Sequence, residues 1–247
     1  MDRMVFLAMT AAKNLFERQA LTTHNLANAT TNGYRSETRA FRAVYVTSDA
    51  LPTRTFAVES TTGADFTPAS LHLTGRTFDV AIEGKGWIAV EAPGGGEAYT
   101  RNGSLQMNEN GLLQTRNGLN VLGDAGPITI PVDTEVSIAA DGTVSTVPTN
   151  NIRNQVSPIG RIRLVNPDES LLERGPDGLF RLRGGGTAET DVRVKLVSGF
   201  LESSNVNAAE VMVDMIAIAR QFELQMKLLQ NADTNARQAA QLFSVNR

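Results

Sequence analysis

The chain has 247 residues, a formal net charge of −3 and no cysteine. Lys and Arg form no block, so nucleic acid is excluded as an ordinary partner, since phosphate binding needs a concentrated basic surface. The missing thiols exclude disulfides and thiolate metal sites. No apolar run reaches the ~20 residues that span a bilayer, so no direct membrane insertion is expected.

All nine prolines lie between Pro52 and Pro176, and all glycines between Gly33 and Gly199. The two ends are therefore free of helix breakers, while the middle is rich in turn residues. This divides the chain into residues 1–34, 35–69, 70–200 and 201–247. The segment Met1-Asp2-Arg3-Met4 lacks the basic start and long apolar stretch of a secretory signal, so export by another route is expected.

Residues from Asp2 to about Thr31 read as one helix, capped by Asp2 and stopped at Asn32-Gly33. Val5, Met9, Ala12, Phe16, Thr23 and Leu26 follow three- and four-residue steps, with Gln19 as a polar interruption. Met4, Ala8, Ala11 and Leu15 form a second stripe beside them. The stretch Arg35–Ala69 is irregular and reads as an extended arm.

Residues 70–200 read as β. Short runs such as Phe78–Ile82, Trp87–Glu91, Leu112–Thr115 and Thr143–Val147 are separated by turn signals, among them Asn110-Gly111, Asn117-Gly118 and Asp141-Gly142. Many short strands with frequent turns predict a compact antiparallel barrel or sandwich.

The segment from Ala208 to about Val245 carries the strongest pattern. Met212, Met215, Ala219, Phe222, Met226, Leu229, Asp233, Ala236, Ala240 and Phe243 keep a three-four spacing, the seam of a coiled coil with Asp233 as its interruption. Asn207 and Glu210 have capping-box spacing. Val211, Ile216, Ile218, Leu224, Leu228 and Leu242 add apolar surface off the seam. A helix apolar on more than one face must be surrounded, and other protein chains are the expected surroundings. The fold class is α+β: long terminal helices pairing as a coiled coil, plus the β core.

Enzyme chemistry is poorly supported. His24 and His72 have no ligand partner at helical or hairpin spacing, so neither a metal nor a cofactor is expected. Gly84-x-Gly86 lacks the third glycine of a dinucleotide fingerprint, and Gly94–Gly96 and Gly184–Gly186 lack the Lys-Ser/Thr of a phosphate loop. No serine sits in a nucleophile elbow. Carboxylates at Asp79, Glu83, Glu91 and Glu97 leave a β-rich carbohydrate hydrolase as a rival, and a cytoplasmic adaptor that grips a client with its helices as another.

Three motifs then narrow the choice. Asn25-Leu26-Ala27-Asn28-Ala29-Thr30-Thr31-Asn32-Gly33-Tyr34-Arg35 is similar to the motif Asn-Leu-Ala-Asn-x-x-Thr-x-Gly-aromatic-basic of the flagellar rod and hook family. Gly199-Phe200-Leu201-Glu202-Ser203-Ser204-Asn205-Val206 resembles that family's entry to its terminal helix. Asp79–Gly86, Tyr99-Thr100-Arg101-Asn102-Gly103 and Asp141-Gly142-Thr143-Val144 resemble its core domain. Within the family, Leu51-Pro52-Thr53-Arg54-Thr55, Gly63-Ala64-Asp65 and Gly86-Trp87 look like a proximal-rod member, with a sibling axial protein as the alternative. The resemblance implies a non-enzymatic subunit of a drive shaft crossing the periplasm. It implies passage through the flagellar type III export apparatus, and assembly with copies of itself and other rod proteins. Terminal helices would line the tube and β domains its outer layer. The expected interface comprises Val5, Met9, Ala12, Phe16, Asn25, Leu26, Asn28 and Thr31 on the first helix. On the second it comprises Met212, Met215, Phe222, Met226, Leu229, Asp233, Ala236 and Phe243.

Overall fold

A computed structural model describes residues 2–45, 55–148 and 156–244, with side chains described for 8–40, 63–148, 156–235, 237, 238 and 241. The chain forms two compact units, one made of residues 1–29, 37–63 and 206–247, the other of residues 30–36 and 64–205.

The first unit is built on two helices, α1 (Asp2–Ala27) and α2 (Ala208–Ser244). They pack together, with the Phe16 and Phe222 rings meeting edge to face at 4.8 Å and Arg18 lying 3.7 Å from Asp214. At 1.5 Å per residue α2 is about 55 Å long. Its N-terminus is capped as the sequence suggests, since Asn207 Oδ1 accepts from the Ala209 and Glu210 amides. The Asp2 side chain, expected to cap α1, lies outside the described residues. α1 stops at Ala27, short of the expected Thr31. There the Asn28 amide is shared between the His24 and Asn25 carbonyls, a tightened last turn. The expected arm contains two strands, Glu37–Tyr45 and Thr55–Ala64, joined in a two-stranded sheet.

The second unit holds the β core. Its largest sheet runs in the order Leu164–Val165, Trp87–Glu91, Glu97–Thr100, Phe180–Leu182, Leu172–Arg174, with every pairing antiparallel. Trp87, Ile88, Ala89 and Val90 are all buried because both faces of this sheet are covered. Ile88 and Val90 join a cluster with Val80, Leu105, Leu113 and Ile162, while Trp87 and Ala89 turn the other way onto Tyr99, Val165 and Phe180. That split follows from the two-residue period of a strand. Burial pushes the Tyr99 hydroxyl up to about 12, and its oxygen accepts from the Ala188 amide at 2.7 Å.

Of the barrel or sandwich expected from the turn spacing, no closed barrel forms among the described residues. The five-stranded sheet does not close on itself, and the remaining strands make a three-stranded sheet (Thr134–Ile138, Thr143–Pro148, Ser157–Arg161) and two-stranded pairs. Strands of two to five residues, as in the largest sheet, are too short to carry the shared tilt and stagger that closure requires. The hairpin signals hold locally: Gly111, Gly118 and Gly142 all take positive φ.

Candidate assembly face and the root of the helices

The less exposed row on α2 is Val211, Met215, Ile218, Phe222, Gln225, Leu229 and Ala232. It has the three-four spacing read from the sequence, but only Met215, Phe222 and Leu229 are common to both rows. Met212, Ala219, Met226 and Asp233 sit one residue round the helix and are exposed. Asp233 pairs with Arg237 at 2.8 Å, the i,i+4 contact expected of it. Ile218, counted as off-seam, is almost wholly buried.

On α1 the stripe of Ala8, Ala11 and Leu15 is half-buried or buried, while Met9 and Phe16 are exposed and Ala12 and Leu26 half-buried. Phe16 thus meets Phe222 edge to face and is still 57% exposed. The side chains of Val5, Ala236 and Phe243 lie outside the described residues. Met9 and Phe16 on one helix, and Met212, Val213, Ile216 and Leu224 on the other, leave apolar surface uncovered; Leu224 is 60% exposed. A shallow groove between the helices is lined by Ala11, Leu15 and Leu224, with Asn14, Arg18, Gln221 and Gln225 around it.

The motif polar groups at the end of α1 divide. Asn25 is buried and its amide acts as a strand edge: Nδ2 donates to the Glu37 carbonyl at 3.0 Å, and Oδ1 accepts from the Glu37 amide at 2.9 Å. Asn28 Nδ2 donates to the His24 carbonyl, and Thr31 is exposed. We expect Asn25→Ala to cost about 2 kcal/mol, because it strands two polar groups of Glu37. Urea unfolding of the full chain followed by circular dichroism checks this; a cost below about 0.5 kcal/mol would mean that the bonds are replaced by water.

A second constellation, absent from the expected site, lies in the β unit. Glu202 is 2% exposed and stands between two buried guanidinium groups. Arg35 Nη2 donates to its Oε1 at 2.7 Å, and Arg101 Nη1 lies 3.3 Å from Oε2. The Ala69 amide adds a third contact, to Oε1 at 3.0 Å. Each arginine also donates to carbonyls, Arg35 Nη1 to Thr67, and Arg101 Nη1 and Nη2 to Ile82 and Gly84. Burial pushes Arg101 down to about 10, which leaves it charged at neutral pH. Arg35, Arg101 and Glu202 come one each from the three motifs quoted above. Their shared membership of those motifs was the available signal; their separation along the chain hid the contact. Gly33 explains another motif position. Its φ is +69°, and a Cβ there would lie 2.3 Å from the Arg101 carbonyl carbon.

Two family models match the chain: "Flagellar hook protein FlgE/F/G D1 domain" over residues 81–146 and "Flagellar basal body rod FlgEFG protein C-terminal" over residues 197–242. The flagellar basal-body rod protein FlgF of Escherichia coli (strain K12) is 46% identical over the full length of both chains, and that of Salmonella typhimurium 45%. The chain belongs to the FlgF family of flagellar basal-body rod proteins. A FlgG rod protein of Buchnera aphidicola is more distant, 32% identical over 89% of this chain and 91% of its own, so the sibling reading gives way. A member of the FlgF family is a structural rod subunit of the flagellar basal body and not an enzyme, which also disposes of the hydrolase and adaptor. No helix among the described residues is long and apolar enough to cross a membrane.

Proposed function

We propose that this chain is a proximal-rod subunit that assembles with other rod proteins and with copies of itself into a helical tube. The tube transmits torque as a drive shaft across the periplasm. The observation that carries this is the uncovered apolar surface on both α1 and α2, which one partner helix does not cover. In the rod the helices pair as a coiled coil and bury their remaining faces against neighbours. Head-to-tail contacts that do not close give an open helical polymer. Met9, Phe16, Met212 and Met226 stand at those contacts, and Asp233 fixes register at some cost in stability. Residues 1–34 and 201–247 supply the helices, 35–69 the arm, and 70–200 the outer domain.

The subunit reaches the rod through the flagellar type III export apparatus, with its terminal helices ordered fully only on assembly. An isolated helix owes most of its stability to packing, which supports this order of events. Limited trypsin digestion of the free subunit tests it. Cleavage at Arg18, Arg220 and Lys227 should precede any cut in the β core, and the same sites should be protected in purified basal bodies. Equal resistance of free and assembled subunits would instead mean a helix pair already complete in the monomer.

A further inference from the structure

The chain passes between its two units four times, at Ala29/Thr30, Ser36/Glu37, Gly63/Ala64 and Asn205/Val206. Within the β unit, the segments leading to all four crossings are tied to one another. Asn205 Oδ1 accepts from the Ser36 amide at 2.7 Å, and Asn205 Nδ2 donates to the Asp65 carbonyl at 2.8 Å. The Asp65 amide donates to Ser36, the Asn205 amide to Tyr34, the Gly33 amide to Glu202 and the Ser203 amide to Ser70. Arg174 stacks on the Tyr34 ring at 4.4 Å and donates to the Arg35 carbonyl. Beneath these bonds sits the buried charge cluster, where Arg35 reaches both Thr67 and Glu202, and Glu202 reaches Ala69 and Arg101.

We propose that this node is a torque coupling: Arg35, Glu202, Arg101 and Asn205 clamp the three segments that serve the four crossings into one stiff root. A force that reaches the β unit along any one of these segments is then shared by all three. The torque role rests on the rod reading above; the clamp itself does not. Charges suit such a root. Apolar contacts slide at little cost, whereas moving Glu202 away from either arginine exposes an uncompensated buried charge. The node therefore opens as a whole or not at all. Asn205 closes its outer side without any charge.

Hydrogen exchange on the full-length chain, paired with motor assays, tests the coupling. In Glu202→Gln the amides of Gly33, Ser36, Asp65, Ala69, Ser203 and Asn205 should exchange together, roughly a hundredfold faster or more. The amides of Ala89, Leu113 and Ile162, bonded within the core, should change less than about tenfold. Faster exchange at Ala69 alone, or equal acceleration in the core, overturns the clamp. Asn205→Ala leaves the buried charges paired and decides the matter if Glu202→Gln does not fold. It should accelerate Gly33, Ser36 and Asp65 together by about tenfold, and an unchanged Gly33 overturns the clamp. In cells, Asn205→Ala rods should assemble in normal number but stall under a lower viscous load than wild type. Missing rods, or wild-type stalling, overturn the torque role. A wild-type basal body without this chain would sink the rod reading and leave the exchange result standing.

Discussion

Glu202→Leu should destabilise the β unit by about 3–5 kcal/mol, the cost of leaving buried charge without its partner. Two cations remain, Arg35 and Arg101, each almost fully shielded from water. Arg101→Met should cost much less, because it leaves Arg35 and Glu202 as a matched pair at 2.7 Å. The triple change Arg35→Met, Arg101→Met, Glu202→Leu should recover most of the loss, since an apolar replacement of a whole buried cluster is often tolerated. The order of the three midpoints in urea is the informative result. If Arg101→Met were as damaging as Glu202→Leu, packing around Arg101, which also lies over the Trp87 ring, would outweigh charge balance.

Gly103→Ala should be comparably severe for a different reason. A Cβ at this position would stand 1.7 Å from the Val80 carbonyl oxygen and 2.7 Å from its carbon. Val80 opens the strand Val80–Glu83, and its amide donates to the Gly103 carbonyl at 2.9 Å. Relief requires moving a backbone that also pairs with Lys195–Ser198. We expect a loss of about 3 kcal/mol or more, at the upper end of overpacking costs, and a fall of roughly 10 °C in Tm. Gly118→Ala is the control. Its added Cβ would meet nothing within 4 Å, so it should cost about 1 kcal/mol from positive φ alone.

The sequence made the helices legible because their breakers are absent and their apolar residues recur over many turns. It did not make legible which of two adjacent rows faces inward. Met212 and Val211, Met226 and Gln225, and Asp233 and Ala232 are neighbours about 100° apart on α2. Both rows keep a three-four spacing, and α1 chooses the one containing Gln225. Periodicity therefore marked a three-four pattern without deciding the row: of its seven described members, Met215, Phe222 and Leu229 lie in the less exposed row and Met212, Ala219, Met226 and Asp233 do not. In the middle of the chain, turn residues marked the hairpins correctly, since Gly111, Gly118 and Gly142 answer a local need for positive φ. Closure into a barrel is a global property of stagger, and strands such as Leu164–Val165 carry too few residues to announce it. The Arg35–Glu202–Arg101 cluster was hidden because its members are distant in the chain, Arg35 and Glu202 being 167 positions apart. Ordinary expectation also puts such side chains at the surface.

The proposed rod subunit requires neighbours that cover α1 and α2. The chain has no cysteine, so Leu224→Cys and Ile216→Cys each introduce a single thiol at an exposed helix position. The rate of maleimide labelling should be measured on the free subunit and on purified basal bodies containing the same variant. Burial between helices should slow labelling in the basal body by about a hundredfold or more, as expected for a site opened only by local unfolding. Equal labelling rates in the two samples would contradict the account, because the apolar faces would then remain open in the assembled rod.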